Sequence, residues 1–452
     1  MSRQAANENH PSPMRVLGIG DSMDLGALYL DLTTGGHSVR VCVRDPDSAD
    51  VGEGLLTRVA DWRSELSWIR EAGEEGIIVF ETASDGALQD QLRSEGYQVI
   101  GGSEWGDRLE GDRAHAQEVL RKLGMQVAPT HRFRDFDDGI EFVRSRPDFY
   151  VYKLDGAGFA STRNYVGQLQ DGSDLAAVLA HQRDTWTFGA HPSFVLMKRV
   201  IGVEMGVGAY FDGRNFLRPA CLDWEHKRFF PGDLGELTGE MGTLVTYERT
   251  GRFFEATLGR MEELLHEARY RGYINLNTIV NADGIWPLEF TCRFGYPGYA
   301  ILSALQREDW ATMFRRIVHP AGGAEFAVEP GFAVGVVLTV PPFPYPDGYR
   351  RLSRGLPVTL HGLEEEERRH LHIGEIARVG DRLVTAGSVG YAMVVTGVGK
   401  TPEEAARRAY ATARKVVIPN VRYRLDIGER FTRQDAAALR KWGWFSADLP
   451  DQ

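Results

Sequence analysis

The run Tyr273-Ile-Asn-Leu-Asn-Thr-Ile-Val280 alternates as a strand, and Asn281-Ala-Asp-Gly284 turns it back into a second strand, Trp286 to Phe290. This hairpin is the tightest local constraint in the chain, because its return strand carries Glu289 between Leu288 and Phe290. A buried carboxylate without partners is expensive, so Glu289 demands a metal, a cation or several donors. Arg293 follows four residues later, at the head of a Gly/Pro-punctuated loop. On these residues alone a Glu289–Arg293 ion pair closing the strand is favoured over a metal-binding carboxylate.

Bulk properties narrow the class. A chain of 452 residues has room for about three domains. Hydrophobic content of 43% and charged content of 25% are those of an ordinary globular protein. With 52 Lys+Arg against 63 Asp+Glu the formal charge is −11, which argues against nucleic acid as the main partner. Cys42, Cys221 and Cys292 lie far apart in apolar surroundings, reading as reduced core residues without zinc-ligand spacing. No apolar run reaches membrane-spanning length, and Met1 to Pro13 lacks a signal peptide's apolar centre. The expectation is a cytoplasmic protein with a disordered leader over 1–13.

Strands at Met14–Gly20, Ser38–Val43, Gly76–Phe80 and Gln98–Gly101 alternate with helical patterns, predicting a parallel α/β sheet over 14–108. The glycines ending the first strand lack the third glycine of a dinucleotide fingerprint. Asp21 and Asp24 would also repel a phosphate there, so no dinucleotide site is expected. Asp107 to Gly124 reads as one charged amphipathic helix, and Gly251 to Arg271 as another. Between them, Asp148 to Lys153 is a strand ending in lysine, and Asp155 to Thr162 is a small-residue loop suited to an anion. Glu225-His-Lys-Arg228 sets three potential cations beside one acid, with a flexible loop at Leu237 to Gly242. Beyond Pro320 a strand-rich segment leads to a helix opened by Thr401-Pro-Glu-Glu404, which has the form of a capping box. The stretch after Asp435 reads as a terminal appendage.

In order and spacing, Leu109-Glu-Gly-Asp-Arg, His226-Lys-Arg, Thr238-Gly-Glu-Met-Gly, Glu289-Phe-Thr-Cys-Arg-Phe-Gly and Asp426-Ile-Gly resemble the ATP-grasp ligases, in particular the glycinamide ribonucleotide synthetase (phosphoribosylamine–glycine ligase) family. The resemblance spans roughly Met14 to Arg430. It implies an α/β and α+β multidomain chain: an N-terminal α/β domain over 14–108 and an ATP-grasp domain over 109–325 with a lid near 130–194. A small C-terminal α+β domain over 326–431 and a tail over 432–452 follow. The implied reaction joins a small-molecule carboxylate to an amine through an acyl phosphate, using ATP and magnesium, with manganese as a possible substitute.

Residue by residue, the resemblance implies that Lys153 and Arg113 reach the ATP phosphates, with Arg113 standing where the family has lysine. Glu204 would accept from the ribose hydroxyls, and Met197 and Lys198 would lie at the hinge under the adenine. Glu289 would bind magnesium, with Thr291 in place of the family's asparagine and Asn277 able to compensate from the partner strand. Arg293, Lys227, His226 and Arg228 would serve catalysis. Glu81, Asp21, Thr238, Gly239 and Gly242 would contact substrate.

Three departures cluster where the family holds a phosphorylated amine. The first loop reads Gly20-Asp-Ser-Met-Asp24 instead of Asn-Gly-Gly-Arg-Glu-His, Gly-Pro-Glu survives only as Glu81, and Tyr296-Pro-Gly replaces Asp-Pro-Glu. In the lid, Ala160-Ser-Thr replaces Gly-Lys-Gly. The expectation is a carboxylate–amine ligase with a changed, unphosphorylated and cationic amine, its acyl donor glycine or another small amino acid. The competing reading is a nucleotide-binding or structural relative with little or no ligase activity.

Overall fold

The computed structural model describes residues 12–154, 163–187, 189, 192–320 and 324–445. The lid-loop replacement at Ala160-Ser-Thr and nearly all of the leader fall outside the described residues. Five parallel strands form the N-terminal sheet, in the spatial order Thr57–Arg58, Ser38–Val43, Arg15–Gly20, Gly76–Phe80, Gln98–Ile100. The Gly76–Phe80 strand, GIIVF, is buried throughout, as expected where helices cover both faces of a parallel sheet.

The organising layer is an eight-stranded antiparallel sheet. Its order is Gly284–Thr291, Gly272–Asn281, Val203–Phe211, Cys221–Glu225, Gly242–Thr246, Phe332–Thr339, Tyr391–Gly399, Leu371–Ile373. The opening hairpin is its edge, and Asn281 sets the turn by accepting from Asp283 N at 2.9 Å and from Trp286 Nε1 at 3.2 Å. Because Gly242–Thr246 pairs with Phe332–Thr339, the sheet runs without a break across position 325. A second four-stranded sheet, Ile376–Val379, Arg382–Thr385, Pro357–Leu360 and Val416–Val417, completes the C-terminal part.

The segment from Thr130 to Lys198 builds its own unit. Strands Thr130–Phe133, Phe194–Lys198, Tyr150–Leu154 and Tyr165–Val166 carry helices Phe136–Ser145 and Ser173–Thr185. Phe136, Ile140, Val143, Tyr152, Leu179 and Phe194 form a core separate from that of the main body.

Three local expectations are corrected. The helix read over 107–124 is two helices, Glu104–Gly111 and Arg113–Lys122, because Asp112 turns extended (φ −105°, ψ 94°) and its carboxylate accepts from His115 N at 3.1 Å as an N-cap. The helix read over 251–271 is interrupted at Thr257, whose backbone leaves the helical region (φ −128°, ψ −99°), so three short helical pieces replace it. The apolar periodicity survives both breaks, which is why the pattern alone hid them. The last described residues are not a loose appendage: Phe431, Leu439 and Phe445 are buried, and Trp224 packs on Phe431 at 4.3 Å between ring centroids.

The Thr401 cap is in place, accepting from Glu404 N at 3.2 Å, but Glu404 reaches Lys400 N rather than Thr401 N. All three cysteines are free and buried. No helix among the described residues is long and apolar enough to cross a membrane.

Candidate functional site

Strand alternation places a series of polar side chains on one face of the large sheet. Glu204 and Gly206 share that face with Asp223 and Glu225, with Asn275 and Asn277, and with Glu289 and Thr291. The register aligns them: Gly206 lies opposite Asp223 and Asn277, Asn277 opposite Glu289, and Asn275 opposite Thr291. A Cβ at Gly206 would collide with the Asp223 carboxylate, so glycine is what leaves room for that acid.

At the centre stands Lys227, just past the end of the Cys221–Glu225 strand. Its ammonium lies 2.7 Å from Glu289 Oε1, 3.1 Å from Glu225 Oε2 and 3.4 Å from Glu204 Oε1. Lys153, from the Tyr150–Leu154 strand of the smaller unit, approaches Glu289 Oε2 from the other side at 3.9 Å. Asn277 Nδ2 donates to Glu204 at 2.9 Å and to Glu225 at 3.3 Å, while its buried Oδ1 has no partner among the described residues. Lys227 and then Lys153 hold the Glu289 carboxyl far below the usual range despite burial. Burial pulls Lys227 down, but Glu225, Glu289 and Glu204 outweigh it and keep the ammonium charged. Burial brings Lys153 down to about 8, against the opposing pull of Glu289.

Two cavities meet at this cluster, sharing Lys227, Gly239, Leu288 and Glu289. The larger, about 480 Å³, is an apolar slot walled by Val151, Met197, Ile201, Ile279 and Leu288, with Lys153 and Glu204 at its polar end. The smaller, about 310 Å³, is polar and is lined by Arg113, Glu225, Glu240, Thr291 and Arg293. An apolar cavity that ends in cations, beside a charged chamber, suits a nucleotide whose ring and phosphates need opposite surroundings. Glu289, held ionised, with the Thr291 hydroxyl on the same chamber wall and the unpartnered Asn277 Oδ1 across the strand pair, offers the oxygen donors a hard divalent cation takes.

Among the sequence candidates, Lys153, Met197, Glu204, Lys227, Thr238, Gly239, Asn277, Glu289, Thr291, Arg113 and Arg293 all line one or both cavities. The Arg113 side chain makes no hydrogen bond or ion pair with the described residues and stands on the chamber wall. Arg293 does not pair with Glu289: its Nε reaches Glu110 at 3.2 Å, and Glu110 also accepts from Cys292 N at 2.6 Å. The ion pair favoured from the hairpin alone is therefore absent, since a turn after Thr291 carries Arg293 to the Glu104–Gly111 helix.

Other candidates stand apart. Lys198 turns outward to Asp148 at 2.7 Å. His226 is not a cation: burial first and Arg424 second push it down to about 4, and its Nε2 accepts from Gly428 N at 3.3 Å. Arg228 donates to Gly235 O at 2.6 Å, and Gly242 sits in the sheet against Gly335. Asp21 pairs with Arg44 at 2.9 Å on the N-terminal domain. Glu81 is buried beneath the first loop, accepting from Asp24 N at 2.7 Å, with burial and Asp24 raising its carboxyl to about 8. The residues missed from sequence are acids: Glu110, Asp223, Glu225 and Glu240. Glu225 was visible beside His226, but only the sheet register shows that Asp223 and Glu225 lie on the same face as Asn277 and Glu289.

Comparison with known proteins agrees with this architecture. Residues 111–299 match the family model for the phosphoribosylglycinamide synthetase ATP-grasp (A) domain. The chain is 26% identical over 365 residues to a phosphoribosylamine–glycine ligase of Halalkalibacterium halodurans, covering 78% of this chain and 81% of that one. It is 28% identical over 357 residues to the protein of the same name from Thermotoga maritima, covering 74% and 83%. The crystal structure of the Thermotoga maritima phosphoribosylamine–glycine ligase superposes with a TM-score of 0.68 at 23% identity, over 92% of this chain and all of the other. The biotin carboxylase domain of a Hydrogenobacter thermophilus 2-oxoglutarate carboxylase, solved with magnesium ADP, gives 0.64 at 12% identity, over 97% of this chain and all of the other. Likeness at these identities establishes the fold.

Proposed function

We propose, on the match of residues 111–299 to the phosphoribosylglycinamide synthetase ATP-grasp domain, that this chain is an ATP-dependent ligase joining a carboxylate to an amine. The observation that carries this is the convergence of Lys153 and Lys227 on Glu289 where an apolar slot opens into a charged chamber. Phosphoryl transfer depends chiefly on positioning and charge neutralisation, and these residues supply both. The slot receives the adenine, Glu204 faces the ribose, and Lys153 and Arg113 draw the phosphates. Glu289, Thr291 and Asn277 Oδ1 are the residues that would hold magnesium, whose charge would offset that of the phosphates. Arg293, fixed by Glu110, presents its remaining guanidinium edge to the carboxylate being activated.

The amine differs from the phosphorylated one named for the relatives. Asp21 and Asp24 stand at the first loop, and Arg44 beside it is already committed to Asp21 and Asp85. Such a rim favours an unphosphorylated, cationic amine and repels a phosphate. The acyl donor in this reading is a small amino acid.

The test is ADP release from magnesium ATP with small amino acids as donors and a panel of amines as acceptors. Turnover stimulated by both partners together, with amide product in the mixture, is expected. Magnesium-dependent ATP binding with no turnover for any pair would instead identify a nucleotide-binding relative. Rescue of a purine auxotroph would restore phosphoribosylamine as the acceptor and remove the changed-amine reading.

A further inference from the structure

Behind the charged chamber lies a recess of about 40 Å³, reached past Glu225, Glu240, Thr291 and Gly295, which line both spaces. It holds two acids that the nucleotide chemistry above does not use. Asp223 is 5% exposed and Glu240 7% exposed, and neither forms an ion pair with any described residue. Lys227 is committed to Glu204, Glu225 and Glu289. Asp223 Oδ2 accepts from Asn275 Nδ2 at 2.7 Å, but Asp223 Oδ1 has no partner. Glu240 Oε1 and Thr243 Oγ1, the latter on a residue 2% exposed, are likewise buried and unsatisfied among the described residues.

Buried polar atoms are ordinarily paired. Burial and then Glu225 raise the Asp223 carboxyl to about 8 and the Glu240 carboxyl well above its ordinary value, so these acids are charged at neutral pH only when a cation compensates them. Three acceptors around a space wide enough for one water-sized group therefore specify a small cationic donor. A primary ammonium carries three N–H donors and matches that count. The recess also adjoins the chamber lined by Arg293, where the ligase reading puts the carboxylate to be activated, and a small amino acid is a carboxylate with an ammonium one or two carbons away.

We propose that the Asp223–Glu240–Thr243 recess is the binding site for the ammonium group of an amino-acid acyl donor, seated so that its carboxylate projects into the chamber toward Arg293. This rests on the ligase reading above and names the residues that would select its donor. It also accounts for directionality: two carboxylates hold the donor nitrogen protonated, so that its lone pair cannot attack an activated carboxylate. Amide formation is left to the second amine.

The test is equilibrium binding of radiolabelled glycine, β-alanine and L-alanine to the full chain with ADP and magnesium chloride present. Wild type is compared with D223N and E240Q, and unaltered melting temperature and ADP affinity control for folding. At least one of the three amino acids is expected to bind, with a Kd raised tenfold or more in each variant. Acetate should compete at least tenfold less well than the amino acid, and trimethylglycine, which has no N–H and exceeds the recess, should not compete. The proposal falls if none of the three binds, if the variants bind them as wild type does, or if acetate competes equally. It also falls if potassium chloride displaces the amino acid in wild type at equal concentration, which would make the recess a metal-cation site. Asp223-dependent binding without ADP release from any donor–acceptor pair would remove the ligase reading and leave the recess. Turnover with an unchanged donor KM in D223N would do the reverse.

Discussion

Lys227 Nζ lies 2.7 Å from Glu289 Oε1, a contact between residues 62 positions apart in the chain. The ammonium touches Glu225 and Glu204 as well, so one cation neutralises the point where three acids from three strands converge. Replacement by methionine leaves those carboxylates facing one another in a mostly buried setting. With these side chains 21–39% exposed, losing the cation costs less than in a fully buried pair, roughly 1–3 kcal/mol. Chemical denaturation of Lys227→Met is expected to show a loss of that order, partly restored by millimolar magnesium, because Glu289 is then free to hold it. No restoration by magnesium would count against Glu289 as a metal ligand.

Glu289→Gln separates metal binding from nucleotide binding. The amide keeps the shape of the side chain but loses the charge that Lys227 and Lys153 hold ionised. Calorimetry is expected to show ATP affinity in magnesium falling at least tenfold, about 1.4 kcal/mol, while affinity measured in EDTA changes little. An equal drop under both conditions would mean that Glu289 acts only through the lysines.

His226 gives the fold an acid sensitivity that a neutral residue removes. Its pKa is about 4 in the folded chain against an ordinary 6.5, so the unfolded state binds more protons between those values. The contribution is whole above about pH 6.5 and is lost as pH falls toward 4, to a total of roughly 3 kcal/mol. The stability difference between wild type and His226→Gln, measured by urea unfolding, is expected to move against wild type across that window. An unchanged difference from pH 7 to 4.5 would contradict a buried neutral histidine.

Glu81 carries the opposite dependence. Its folded pKa, about 8, lies above the ordinary 4.5, so the folded state binds the extra proton. That contribution is whole below about pH 4.5 and is lost as pH rises through 8. Relative to Glu81→Gln, wild type is expected to lose stability between pH 5 and 8.5, read as a falling difference in melting temperature. Glu81→Ala should cost more, about 1–3 kcal/mol, because Asp24 N loses its buried acceptor.

Much of this was legible in the residue order. Strand patterns located the parallel sheet and the hairpin, since alternation and turn chemistry act over a few residues. The spacing of Lys153, Glu204, Lys227 and Glu289 in family order pointed to the nucleotide end of the site. Patterns of the same kind missed the breaks at Asp112 and Thr257, because a cap or a bent backbone can interrupt a helix without disturbing its apolar rhythm.

What the chain determined by itself was which residue types recur at which local spacing: strand, turn, helix and the Glu289 carboxylate that must be compensated. Only the tertiary structure decided the partners. Glu289 goes to Lys227 and Lys153 while Arg293 goes to Glu110, and His226 turns from a supposed cation into a buried neutral ring. Asp223 and Glu240 come to share one recess only because two neighbouring strands and the loop before the second meet there. Local sequence cannot choose among cations that are equally near along the chain. Sheet register can, because charge compensation falls off within a few ångströms and is decided by whichever side chains the strands bring face to face.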